Sequence, residues 1–459
     1  MATASAPSCY PLCMNAEAAY LFRHALLREA AYQLQLPADR ARLHRLCLHI
    51  IPDLLGAGVD SSALSAVAHE LAEHARFAQD DARPEELEEL RSLEVSYGAR
   101  AAEFASTQFR NLDAASWHQR IAACPFVSGR RRVHHLCAAS SAYLAAGRYV
   151  EAQTSVKQAM RLAESGTDQE ALRMAHLQSA SCLFDLDQRK DARLHAEQAL
   201  RLTRALGGAH LAKALGTAAR CSASGDSLAV ARAKLDEVLH LAREEGDARS
   251  EVVTLISLGL RLGQERDYHG AIEQLSLARD LARSGGFMPS EGLCLGNLGA
   301  MWLNLGQPAR AVECFNAALE LARKTGSIDR EAMWLMNLAV VNTRNGNFEP
   351  ARVQYSRAAA LCEECGRPYT LVSVWINLGQ LEWKDRRFGQ AMSAFQRALG
   401  AAQLHQLGQL EAVVLHNMGQ TASDMGDEAQ AASFWKQRDA VIRQHGAPPE
   451  LLRSLTPQA

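Results

Sequence analysis

The sequence predicts an all-α protein, a superhelical solenoid of helix-turn-helix repeats. Three observations predict it. Asn297-Leu298-Gly299 returns forty residues later as Asn337-Leu338-Ala339, then as Asn377-Leu378-Gly379 and Asn417-Met418-Gly419. A fixed period of that length holds two helices and sets the whole architecture. The hydrophobic fraction is 48% but the aromatic fraction only 6%, so the apolar content is mostly Ala and Leu, strong helix formers. Val, Ile and Thr are sparse and never alternate over a strand's length.

Charge and cysteine usage narrow the class. Forty-nine basic against 51 acidic residues leave a net charge of −2, no electrostatic footprint for nucleic acid or an anionic membrane. Arg130-Arg131-Arg132 and the acidic stretch from Asp80 to Glu89 read as solvated helix faces or loops. Eleven scattered cysteines do not form a secreted disulfide framework. The N-terminus lacks the pattern of a signal peptide, and no apolar run approaches the roughly 18 residues of a membrane helix. A reducing cytoplasm is the expected location.

In chain order, residues 1–16 are expected to be a disordered tail. Residues 17–62 form a two-helix segment. Phe22, Leu26, Ala30 and Leu34 make one stripe, and Pro37 ends that helix and starts the next. Leu43, Leu46, Cys47, Ile50, Ile51 and Leu54 have the spacing of a buried helical face, and Gly56 and Gly58 close it.

The repeats occupy residues 63–446 as about nine hairpins, with a tail at 447–459. An alanine in each second helix anchors them: Ala114, Ala152, Ala192, Ala231, Ala271, Ala311, Ala351, Ala391 and Ala431. Twelve residues earlier the side chain is always small, from Ala102, Ser140, Ala180 and Ala219 to Gly259, Gly299, Ala339, Gly379 and Gly419. The small residue is expected to receive the anchor alanine. Four residues past the anchor stand Leu235, Leu275, Phe315, Tyr355, Phe395 and Trp435, large side chains that interdigitate with small ones. Glycines suited to helix C-caps mark one turn at Gly147, Gly306, Gly346 and Gly426. A second turn is marked at Gly246, Gly286, Gly326, Gly366 and Gly446. Arg438 replaces the alanine of earlier copies, as a polar terminal cap would, and Pro448-Pro449 then stops the helix.

Asn297-Leu298-Gly299, Trp302, Gly306, Ala311, Phe315 and Ala318 resemble the tetratricopeptide repeat residue by residue. The period is 40 rather than 34 residues, and Arg323 stands where that family closes on proline. The resemblance implies a right-handed superhelix with the first helices lining a concave groove. The longer variant is similar to arrays in signalling adaptors and in the sensor regions of large ATPase regulators. The segment from Tyr20 to Tyr32, followed by Arg42-Leu43-His44, resembles a helical region of large signalling proteins that follows an ATPase or kinase module. It implies an alternative role as the sensor half of such an ATPase or serine/threonine kinase system, or a signalling kinase or ATPase as partner. No GxxxxGK(S/T), kinase Gly-rich loop, HRD or DFG is present.

The best candidate site is the asparagine row. Asn297, Asn337, Asn377 and Asn417 lie about 100° from the buried leucine stripe, sharing their face with Asn304, Arg344, Gln380, Lys384 and Gln420. An amide both donates and accepts, so a row of them can hold an extended peptide backbone. The competing reading is that each Asn ties neighbouring repeats together. Arg344 and Lys384 favour an acidic ligand, and Asp424 opposes a uniformly basic groove.

Other motifs carry no chemistry. Cys362-Glu363-Glu364-Cys365 is one CxxC without further ligands, where structural zinc needs four. In His69-Glu70-Leu71-Ala72-Glu73-His74 the histidines are five apart, not the four of a metalloprotease helix. His134 and His135 point apart, and His24 and His44 lack catalytic partners. No cofactor, metal or catalytic residue is assigned. The expected function is a non-enzymatic scaffold or adaptor that binds a peptide or partner helix in the groove between about residues 290 and 425.

Overall fold

A computed structural model describes residues 32, 34–55, 62–186, 188–208, 210–222 and 228–446. The expected tails, most of the first helix of the 17–62 segment with His24, Gly56 and Gly58, and Pro448-Pro449 lie outside them. All regular structure among the described residues is helical. The chain divides into two compact units, Met1–Thr107 with Cys124–Phe126, and Gln108–Ala123 with Val127–Ala459.

The first unit holds α1 (Pro37–Leu54), α2 (Ser62–Ala66), α3 (Ala68–Phe77), a 3-10 turn (Ala78–Asp81) and α4 (Pro84–Thr107). Pro37 sits in the first turn of α1 as expected, where its missing N–H costs nothing. The buried face of α1 differs from the expected one. Leu43, Leu46, Ile50 and Leu54 are exposed, and Ala41 and Leu48 are buried instead. Leu48 joins a core of Leu64, Leu71, Ala75, Ala78 and Leu90, with Ile51 packed against it. The face was chosen by the neighbour. His44, four residues before Leu48, meets His74 of α3 with Nδ1 to Nδ1 at 2.7 Å. Glu86 of the acidic stretch pairs with Arg45 at 3.0 Å.

The second unit is a solenoid of paired helices. They are α5 (Asn111–Ala123), α6 (Gly129–Ala145), α7 (Tyr149–Ser165), α8 (Gln169–Asp185), α9 (Arg189–Ala205), α10 (Leu211–Ser222) and α11 (Leu228–Glu244). There follow α12 (Ala248–Gln264), α13 (Tyr268–Ser284), α14 (Met288–Asn304), α15 (Pro308–Lys324) and α16 (Ile328–Arg344). The last are α17 (Phe348–Cys365), α18 (Pro368–Lys384), α19 (Phe388–Leu404), α20 (Gly408–Asp424) and α21 (Glu428–His445). Helices of 17 residues joined by three-residue turns account for the period. Successive first helices α12, α14, α16, α18 and α20 touch one another, as helices on the inner side of a curved stack must.

The turns are built as the glycines suggest. Gly306 has φ +72°, its N–H donates to the Leu303 carbonyl at 3.1 Å, and the Gln307 N–H donates to the Trp302 carbonyl at 2.9 Å. This is a Schellman closure, which satisfies carbonyls that a helix end leaves open. Where the sequence lacks glycine the geometry persists. Phe109, Arg266 and Arg386 take φ of +56°, +66° and +57° at the first turn, and Gln406 takes +55° at the second.

The anchors Ala114, Ala152, Ala192, Ala271, Ala311, Ala351, Ala391 and Ala431 are fully buried. The glycines twelve residues before the anchors also receive a large side chain. A Cβ on Gly259 would lie 2.7 Å from Leu275, and one on Gly299 would lie 2.8 Å from Phe315. Gly379 and Gly419 are closed in the same way by Phe395 and Trp435. The small position is thus a socket for the large side chain four residues past the anchor, because a helix side chain reaches back over the preceding turn. Arg438 is also not an outward cap. Its side chain is 12% exposed and lies 3.2 Å from His416 Nδ1.

Two further histidine pairs sit between helices of the solenoid. Nδ1 of His118 lies 3.1 Å from that of His135, and Nδ1 of His176 lies 2.9 Å from that of His195. Burial, then a neighbouring histidine, lowers His118 to about 4, and His135 and His176 fall to about 4 for the same first cause. Between pH 6.5 and 4 the unfolded chain therefore binds protons that the folded chain refuses, so stability falls as pH falls through that window. Replacing His118 and His135 by Gln should make the urea midpoint less sensitive to a drop from pH 7 to 4.5. The expected difference, discounted for partial exposure and coupling, is about 2 kcal/mol. Equal pH sensitivity in parent and variant would contradict it.

Candidate functional site

The asparagine row lies on the inner helices. Asn297 is on α14, Asn337 on α16, Asn377 on α18 and Asn417 on α20, each about a third of a helical turn from the packed stripe. Leu295 and Leu298 of that stripe are buried, whereas Trp302 and Leu305 are only partly so. All four asparagines are half-buried, and Asn304, Arg344, Gln380, Lys384 and Gln420 are exposed on the same face.

No hydrogen bond joins the side chain of any of the four to another described residue. In Asn297 and Asn417 the Nδ2 atom is itself buried without an acceptor. A buried donor left open costs roughly 1–3 kcal/mol. The row therefore does not tie repeats together through side-chain hydrogen bonds.

Four of the predicted residues converge. Gln380 and Lys384 of α18 and Asn417 and Gln420 of α20 line a cavity of about 170 Å³, with Trp383 and His416. Asn297, Asn304, Asn337, Arg344 and Asn377 do not reach it and stand along the row on their own copies. The Trp383 indole N–H donates to Asp424 Oδ2 at 2.6 Å, and Gln420 Nε2 donates to Oδ1 at 3.4 Å. Asp424 is thereby occupied. Arg344 and Lys384 have no carboxylate partner among the described residues. Burial and the charge of Arg438 lower the pKa of His416, keeping it neutral near pH 7. Trp383 and His416 are the site residues that repeat reasoning passed over. The available signal was an aromatic beside Lys384, one residue off the buried Glu382.

The remaining motifs have structural explanations. Cys362 and Cys365 are buried, and burial raises them to about 12 and about 11, which suppresses thiolate chemistry. Arg130 reaches Asp168 at 2.7 Å. His69 is 3.9 Å from Glu70, while His74 turns to His44.

Residues 293–364 and 372–403 match family models described as tetratricopeptide repeats. No curated protein sequence matches the chain. Among solved structures, the chain is similar to a Rap protein complexed with Competence and Sporulation Factor. The TM-score is 0.56 at 13% identity, over 77% of this chain and 98% of that one. It is also similar to the apo form of the quorum sensor NprR from B. thuringiensis, with a TM-score of 0.50 at 11% identity, over 76% of this chain and 99% of that one. At these identities the likeness is one of fold. Among the described residues no helix is long and apolar enough to cross a membrane.

Proposed function

We propose that this chain, a tetratricopeptide-repeat protein, is a non-enzymatic scaffold that holds an extended peptide along the inner helices α14 to α20. The observation that carries the reading is the row of half-buried asparagines whose side chains have no hydrogen-bond partner among the described residues. An amide can accept from one backbone N–H and donate to one carbonyl; at Asn297 and Asn417 the Nδ2 atom is buried, which leaves the side-chain oxygen to accept. Successive copies offer an amide at a regular step, which suits a repeating backbone better than one compact ligand. Arg344 and Lys384 add positive charge to the rim with no carboxylate partner among the described residues, so the peptide is acidic. The Rap protein of similar fold was solved with Competence and Sporulation Factor bound, which supports a bound factor on this architecture.

Replacing Asn337 and Asn377 by Ala together removes two such pairs. Four hydrogen bonds at about 0.5–1.5 kcal/mol each amount to about 2–6 kcal/mol, so affinity for the partner recovered from the native host should fall at least roughly thirtyfold. The variant should keep its helical circular dichroism and melting profile. Full affinity in a folded double variant would refute the peptide role of the row.

A further inference from the structure

The inner face belongs to one turn of the solenoid, and that turn is fastened to itself. Tyr149 opens α7 and Asp185 closes α8, and Asp329 and Arg367 stand at the starts of α16 and α18 five copies later. The Tyr149 hydroxyl donates to Asp329 Oδ2 at 2.8 Å, across 180 residues. The Arg367 guanidinium lies over the Tyr149 ring, 4.5 Å from its centre, and donates to the Asp185 carbonyl, across 182 residues. Asn111 Nδ2 reaches the Thr325 carbonyl at 3.5 Å, across 214 residues. The backbones also close up. A Cβ on Gly147 would lie 3.3 Å from that of Cys365, and Tyr149 is only 4% exposed.

Contacts of this kind have no counterpart in the repeat. A stack of hairpins is held by neighbours alone, so its pitch and width are soft. Bonds between copies five apart remove that freedom. They act where small rotations per copy add up to one full turn.

We infer that Tyr149, Asp185, Asp329 and Arg367 form a clasp that closes the superhelical turn and fixes the width of the inner groove. With the clasp open the turn unwinds and the spacing between asparagine copies changes. The consequence for ligand capture rests on the peptide reading above. The clasp itself does not.

A covalent test uses the close approach. Gly147→Cys places a thiol beside Cys365, near the Cβ separation of about 3.5–4.5 Å that a disulfide spans. Phe109 and Arg386 occupy the same left-handed turn position in sister copies, so a side chain is tolerated there. Diamide removes two electrons and two protons from the two thiols and is itself reduced to the hydrazine. The 147–365 bridge, mapped by mass spectrometry, should form at least about tenfold faster than in a protein that also carries Tyr149→Phe and Arg367→Ala, because the clasp sets the effective concentration. Adding Cys365→Ser should abolish that bridge.

Without the new thiol, the Tyr149→Phe, Arg367→Ala protein should show a larger radius of gyration in solution scattering than the parent, at unchanged helical content. Equal bridging rates or an unchanged scattering curve would each overturn the clasp. Asn337→Ala with Asn377→Ala should leave the scattering curve as in the parent, so failure of the peptide reading is separable from failure of the clasp.

Discussion

Trp334→Ala should destabilise the α14–α16 junction by about 3–5 kcal/mol, the usual cost of emptying a large buried aromatic site. Trp334 is 2% exposed and among the largest fully buried side chains. Its ring lies 6.4 Å from that of Phe315, nearly parallel. It fills space that Gly296 leaves open, since a Cβ on Gly296 would fall inside the indole. That relation gives the prediction a sharper form. Gly296→Ala should destabilise the parent by driving a methyl into the ring. In the Trp334→Ala background the same change should stabilise, because the space is free and a helix-interior alanine is favoured over glycine by about 1 kcal/mol. Chemical denaturation of the four proteins measures the cycle. Additive effects of one sign would mean that the two residues do not share a site. Hydrogen exchange should place the loss near α14 to α16, because an array transmits damage mainly to neighbouring copies.

Arg352→Met should cost about 2–4 kcal/mol. Arg352 of α17 donates to Glu382 at 2.8 Å, to Asp385 of the next turn, and to Glu349 at 2.6 Å. Glu382 is 7% exposed. Removing the cation strands a buried carboxylate, and breaking such a pair from one side typically costs about 3–5 kcal/mol. The lower range reflects the residual exposure of Arg352 and Asp385. Adding Glu382→Leu to Arg352→Met should recover most of the loss, since an apolar pair of similar volume often matches a buried ion pair. A double variant no more stable than Arg352→Met would show that packing, and not the stranded charge, sets the cost.

Much of this architecture was legible because it is local and repeated. The turn glycines announce left-handed C-caps, and the same closure follows even where Arg386 or Gln406 replaces glycine. The alanine anchors announced buried positions and are buried. Leu275, Phe315, Phe395 and Trp435 close over Gly259, Gly299, Gly379 and Gly419, as their place four residues past each anchor suggests, but spacing along one helix does not say how closely they lean on the small position. The face of α1 was misread for a related reason. Its leucine stripe is the more hydrophobic face, but burial went to the side where His44 and Leu48 meet α3 and its core. At the candidate site the asparagine row was legible from its period. The cavity with Trp383 and His416 was not, because it arises between two copies and depends on residues that do not repeat.

By itself, the sequence determined the all-α class, the forty-residue period, the turn positions and the helix face that carries Asn297, Asn337, Asn377 and Asn417. Each follows from backbone closure, propensity and helical spacing within about forty residues. Only the tertiary structure decided which atoms meet across copies. The Trp334 ring on Gly296, Arg352 between Glu382 and Asp385, and Tyr149 against Asp329 are of that kind. Their geometry depends on the rotation of one hairpin on the next, summed over the array, and no single repeat encodes that sum.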